Sequence, residues 1–213
     1  WDGISWNQLG ADIDGEAADD RSGYSVSLSS DGMTVAIGAT KNDGNGSDAG
    51  HVRIYSWDGI AWNQLGADID GEAANDFSGT SVSLSSDGET VAIGAGGNDG
   101  NGINSGHVRI YSWDGSSWNQ LGNDIYGEAA NDWSGRSVSL SSDGMTVAIG
   151  ASANDTNGNT SSGHVRIYSW DGNSWNQLGA DIDGEEEFDL SGVPVSLSSD
   201  GMTVAIGAPG NGL

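Results

Sequence analysis

The chain has no cysteine, only two prolines among its 213 residues, and six basic residues against 31 acidic ones. Without cysteine there is no disulfide framework and no thiol chemistry. A formal charge of −25 repels nucleic acid and anionic membrane surfaces, which sets both aside as partners. Cations and cationic partners are attracted instead. No apolar run approaches the roughly 20 residues needed to span a bilayer, so membrane insertion is not expected. No basic, apolar-cored leader is present at Trp1, so a leader would have been removed or lie outside this sequence. High acidity with little lysine suits a secreted or cell-surface protein in salty water.

Glycine, at 36 residues, and repetition dominate what is there. Trp1, Trp57, Trp113 and Trp170 open the same phrase, at spacings of 56, 56 and 57 residues. The chain therefore reads as one repeat domain, 1–213, with repeats 1–56, 57–112, 113–169 and 170–213. The last repeat lacks the "GHVRIYS" segment.

Each repeat holds four segments of strand chemistry, "SVSLS", "TVAIGA", "HVRIYS" and the weaker "WNQLGADI". Val and Ile alternate with small or polar residues at a period of two, and no stretch shows a capped helical period. Asp87-Gly88 and Asp58-Gly59 are hairpin dipeptides, whereas "DGEAANDFSG" and "GGNDGNG" are longer glycine-rich connections. The pattern predicts an all-β fold, a β-propeller of four-stranded antiparallel blades. About four blades are expected in this chain, three complete and one split between the termini. Three outcomes stay open for the split blade: a defective four-bladed ring, a larger ring made from two chains, or a piece of a longer array, cut or engineered.

The phrase "SGTSVSLSSDGETVAIGA…GHVRIYSWDG" resembles the FG-GAP-type repeat of integrin-like β-propellers, in the variant abundant in surface proteins of marine bacteria. The resemblance covers all four copies. It implies an extracellular propeller used for adhesion or ligand binding and commonly stabilised by calcium. One departure matters. The family's DxDxDG calcium loop joins the first two strands of a blade, where this chain has only "SSDGMT" or "SSDGET". The family's calcium ligands therefore do not transfer to that turn.

Consecutive antiparallel strands reverse direction, so the two Asp-Gly hairpins fall at one end of the ring and the two long loops at the other. That parity gathers Asp14, Glu16, Asp20, Asp43, Asp70, Glu72, Asp76, Asp99, Asn101, Glu128, Asp132 and Asp155 on one rim. An EF-hand is excluded, because Gly71 comes too early and no glutamate closes a 12-residue loop. Three readings of the rim remain: a solvated turn whose side chains cap amides, a Ca2+ site between the two long loops, or a contact site for a cationic or glycan partner.

Arg21, Phe77 and Trp133 share one variable position, and Tyr24 and Arg136 share another; these five are the ligand-rim candidates. The tryptophan pairs beside each "WDG" turn read as cross-strand packing, or less economically as sugar platforms. His51, His107 and His164 stand one blade apart, too far for a shared zinc site, and read as inter-blade hydrogen bonds. Arg53, Arg109 and Arg166 are expected to pair with acidic residues. No nucleophile–base constellation stands out. Near-identical blades also disfavour the asymmetric site that catalysis needs. The expected function is non-catalytic binding of a protein or glycan ligand. The alternative is a structural or self-assembling scaffold, with homo-oligomer formation through the incomplete blade.

Overall fold

A strand that alternates Val or Ile with Ser, Ala or Gly has one bulky and one small face, and stays buried only within a stack of like sheets. In a computed structural model of the chain, which describes residues 1–156 and 158–212, these segments form seventeen strands and, among the described residues, no helix. The first blade comprises β1 (Ser22–Leu28), β2 (Thr34–Ala39), β3 (His51–Trp57), β4 (Trp62–Gln64) and β5 (Ile69–Asp70). The second comprises β6 (Ser81–Leu84), β7 (Thr90–Ala95), β8 (His107–Trp113), β9 (Trp118–Gln120) and β10 (Ile125–Tyr126). In the third are β11 (Ser137–Leu140), β12 (Thr146–Ala151), β13 (His164–Trp170), β14 (Trp175–Gln177) and β15 (Ile182–Asp183). Two further strands, β16 (Val195–Leu197) and β17 (Val204–Ile206), begin a fourth unit.

Each complete blade is an antiparallel meander, as the repeat predicts, but its outermost strand is broken in two. Gln64 stands opposite Tyr55 and Ile69 opposite Val52, so residues 65–68 face only residues 53 and 54. The extra length is taken up at Gly66, whose φ of 79° suits glycine and which lies against the Trp113 ring of the next blade.

The core lies between blades. Val82, Leu84, Val91 and Ile93 of the second blade meet Ala36, Ile54 and Ile69 of the first. Val138, Leu140, Val147 and Ile149 meet Ala92, Ile110 and Ile125 in the same way. Each such aliphatic contributes roughly 1.5–3 kcal/mol when fully buried. The small residues allow the blades to approach. A Cβ at Gly94 would land on the Gly135 carbonyl of the next blade. Hairpins at one end are joined from blade to blade by Ser30 N–H to Ser86 C=O, Ser86 N–H to Ser142 C=O and Ser142 N–H to Ser199 C=O.

The two parts of the split blade are both present, and no sheet joins them among the described residues. Residues 1–21 form no strand. Leu9 C=O accepts from Trp62 Nε1, as Leu65 C=O does from Trp118 and Leu121 C=O from Trp175. Residues around Leu9 thus occupy the outer-strand position of a preceding blade. In the complete blades the corresponding residues pair with the "HVRIYS" strand that precedes them. The bulky face of the first blade is correspondingly bare: Val26 is 64% and Leu28 58% exposed, against 8% for Val82 and Leu84.

Candidate functional site

The acidic loops are built by their own side chains. Asp76 is buried and accepts from the Glu72 and Ala73 amides and from Asn98 Nδ2. Asp20 accepts from the Ala17 amide and Asn42 Nδ2, and Asp132 from the Glu128 and Ala129 amides. Asp43, Asp99 and Asp155 each accept a backbone amide of their own glycine-rich loop, from Asp48, Asn104 and Ser161. Asn101 is a donor, reaching the Gly127 and Glu128 carbonyls at 2.9 Å. Asn45 does the same to Gly71 and Glu72, so the two long loops of neighbouring blades are stitched together. Asp14 and Asp70 meet the seam through their carbonyls, which accept from Arg53 and Arg109.

Carboxylates and imidazoles converge in another combination. Glu16, His51 and Asp68 form one group, Glu72, His107 and Asp124 a second, and Glu128, His164 and Asp181 a third; in each, the three ligand atoms lie within 4.8 Å of one another. The histidine opens the third strand, the aspartate precedes the second half of the outer strand, and the glutamate comes from the loop of the preceding blade. Of these nine, the rim parity anticipated only Glu16, Glu72 and Glu128. A hydrogen bond was expected for the histidines, but none reaches Nδ1 of His51 or His107, and both side chains are 1% exposed. At His164 it is Nε2 that is buried without a partner. Burial pushes the His107 imidazole down to about 4, with Arg109 adding to the shift, and lowers His164 for the same reasons, so both are neutral at neutral pH.

The expected arginine pairs are present. Arg109 Nη1 lies 3.8 Å from Glu72, its Nη2 donates to Asp70 C=O at 2.6 Å, and the guanidinium stands 5.6 Å from the Tyr111 ring centre. Arg53 and Arg166 repeat this arrangement. The tryptophan pairs pack across their hairpins, with centroids 5.4–5.7 Å apart.

All five ligand-rim candidates line one cavity of about 320 Å³: Arg21, Tyr24, Phe77, Trp133 and Arg136, joined by Thr40, Lys41 and Thr80. It lies where the innermost strands begin, at the long-loop end. Arg21, Phe77 and Trp133 are held there at φ of 57°, 54° and 56°. Side chains of this size rarely adopt that region, at a cost on the order of 1–3 kcal/mol. Three of the six cations line this cavity; the other three are the seam arginines. Lys41 pairs with Asp48 at 3.0 Å, while Arg21 and Arg136 have no ion pair among the described residues. The sequence singled out the variable positions but not Lys41, whose equivalents Gly97 and Ala153 carry no charge.

Stacked four-stranded blades, with their loops sorted to two ends, define a propeller-type repeat protein. The sequence profile of the FG-GAP repeat matches residues 12–55, 68–111 and 127–168, more than half of the chain. The chain belongs to the FG-GAP repeat family. No curated protein matches it. Among solved structures it is similar to a protein provisionally described as a 6-phosphogluconolactonase from Bacteroides uniformis, with a TM-score of 0.56 and 13% identity, over 85% of this chain and 46% of that one. It is also similar to the hydrazine synthase of Kuenenia stuttgartiensis, with a TM-score of 0.52 and 14% identity, over 93% and 44%. The chain spans less than half the length of either, and at these identities the likeness is one of fold. Among the described residues, no helix is long and apolar enough to cross a membrane.

Proposed function

We propose that the chain is a non-catalytic binding propeller of the secreted or cell-surface kind, which takes an anionic ligand at the mouth where its inner strands begin. One observation carries this. In a chain of net charge −25, each of the three cations that the repeat does not use at its seams lines the same cavity, beside Tyr24, Phe77 and Trp133. Guanidinium forks recognise carboxylate or sulfate groups, and aromatic faces accept the apolar side of a ring. At about 320 Å³ the cavity is near the lower end of small-ligand sites, roughly 300–1,000 Å³. The class that fits is an acidic sugar, displayed on a glycan. An array of uronic-acid, sulfated and neutral glycans, with acidic peptides alongside, tests it. Binding confined to acidic glycans, weakened by salt and by Arg136→Ala, supports the reading. Binding to none, or binding indifferent to Arg136→Ala, overturns it.

A divalent cation ordering the rim belongs to the same reading. Calcium is the ion that the family implies, and the Glu16, Glu72 and Glu128 groups offer it carboxylate oxygens. Melting with chelator and with millimolar calcium tests that half; identical curves remove it.

The scaffold alternative has its own observation in the bare face of the first blade, with Tyr24, Val26 and Leu28 exposed. The occupant it fits is another blade of the same kind. Light scattering of the purified chain would show concentration-dependent assembly if a second copy supplies that blade.

A further inference from the structure

We infer that the Glu/His/Asp groups at the first two blade seams, around His51 and His107, are sites for a divalent transition metal of the zinc class, one per seam, in preference to calcium. The third group differs, because the buried nitrogen without a partner at His164 is Nε2 and not the Nδ1 that faces Glu128 and Asp181. The inference goes beyond the reading above: it does not rest on the cavity, and it puts another ion in calcium's place at these groups.

The groups are prepared in a way that a mere acidic cluster is not. In the second seam the buried Nδ1 of His107 accepts or donates no hydrogen bond, yet lies 3.8 Å from Glu72 Oε2 and 3.7 Å from Asp124 Oδ2. In the first, His51 Nδ1 is 3.7 Å from Glu16 and 3.8 Å from Asp68. These distances are too long for hydrogen bonds. A cation with imidazole and carboxylate ligands at about 2.0–2.2 Å can bridge separations up to roughly twice that length.

Each carboxylate is also held by its other oxygen. Gln64, Gln120 and Gln177 donate to Oδ1 of Asp68, Asp124 and Asp181, at 2.5–2.6 Å, which leaves Oδ2 facing the imidazole. Arg53, Arg109 and Arg166 lie 3.7–3.9 Å from the Oε1 of the glutamates, whose Oε2 faces the same point. Outer contacts of this kind orient ligands at metal sites. In the second seam Tyr126 OH also donates to Asp124 Oδ2, at 2.9 Å, and that bond must yield or be shared.

The donor set decides between ions. Calcium takes six to eight oxygens at about 2.3–2.6 Å, whereas each group supplies two carboxylates and one nitrogen. Imidazole suits zinc, copper and nickel. Two carboxylate oxygens and one imidazole nitrogen converging on one point are a donor set that suits such a dication.

The test uses the full chain stripped with chelator, titrated with zinc chloride by calorimetry and with cobalt(II) by visible absorption. Two equivalents should bind, and the cobalt bands should show mixed nitrogen and oxygen ligation. His107→Gln should remove one equivalent and leave one, as should Glu72→Gln, a change at a half-exposed side chain that leaves the buried histidine in place. Gln120→Ala should weaken that equivalent by about 10–100-fold without changing the count. Zinc bound with a stoichiometry that neither His107→Gln nor Glu72→Gln alters would overturn the inference. Calcium bound while zinc and cobalt are not would overturn it and leave the calcium reading standing; binding of none of the three would remove both.

Discussion

The hydroxyl of Ser83 accepts a hydrogen bond from the backbone N–H of Leu140 in the next blade, at 2.9 Å. Ser27 does the same for Leu84 and Ser139 for Leu197. The small face of each inner strand is therefore more than a space for the neighbour's aliphatics. It meets an amide of the following inner strand that would otherwise be buried without a partner. Ser83→Ala should lower stability by about 1–3 kcal/mol, the cost of an orphaned buried donor, as read by urea unfolding. Ser30→Ala, whose hydroxyl is at an exposed position, should change it by less than about 0.5 kcal/mol. Equal effects would mean that the bridges do not set blade stacking.

Backbone approach sets the other limit on stacking. Gly94 sits in the middle of the sheet, where an added Cβ would meet the Gly135 carbonyl; Gly38 and Gly150 repeat the contact with Gly79 and Gly192. Gly94→Ala should cost about 1–3 kcal/mol by overpacking, although alanine is the better strand residue. Gly115, at a hairpin tip with open space around its Cβ position, is the matched control for crowding, since substitution there costs only through its φ of 95°.

The architecture was legible because it depends on local chemistry repeated four times. Period-two alternation gave the strands, Asp-Gly the hairpins, and parity the sorting of loops to two ends. The seam groups were not, because their members come from two blades. His107 and Asp124 are 17 residues apart, Glu72 lies 35 residues before His107 in the loop that leaves the preceding blade, and pattern alone assigns no distance across a seam. A signal was available in hindsight: glutamine precedes the aspartate by four residues in Gln64–Asp68, Gln120–Asp124 and Gln177–Asp181. Of the three readings of the acidic rim, the bonds of Asp20, Asp76 and Asp132 to loop amides fit the amide-capping one, which sequence alone does not separate from ligation. Variability marked five of the residues that line the cavity, but not Lys41, which stands in an otherwise uncharged position.

Strain at the cavity separates binding from folding. Trp133 is held at φ 56° and is only partly buried. Replacing a buried tryptophan by a small residue usually costs about 3–5 kcal/mol. Trp133→Gly should cost less than about 1 kcal/mol, because relief of the backbone offsets the lost contacts. Ligand binding should fall at least tenfold in the same variant. Loss of stability at the full cost of a buried aromatic would show that the residue is there for packing.

The hairpin aspartates make the fold acid-sensitive at one end. Asp58 accepts from the Ile60 and Ala61 amides and from Asn63 Nδ2, and these bonds lower its carboxyl below the usual range, the Ala61 amide most. Asp2 is lowered to about 2, and Asp114 and Asp171 are lowered by equivalent bonds. A carboxyl depressed in the folded state stabilises it fully above the unfolded value, near 3.8, and loses that contribution as pH falls through the folded value. The aspartates' share of the loss should therefore fall below about pH 4; the buried His107, pushed down to about 4 from an unfolded value near 6.5, adds its own loss as pH falls between those two values. The tryptophan pairs that flank these turns supply a local readout, since Trp57 and Trp62 are 5.5 Å apart and their coupled circular dichroism depends on that geometry. The coupled signal should persist to pH 4 and decay below it. Asp58→Ala should reduce the Trp57–Trp62 share of the signal at neutral pH and leave the other pairs intact, whereas decay already complete at pH 5 would place the acid-sensitive groups elsewhere.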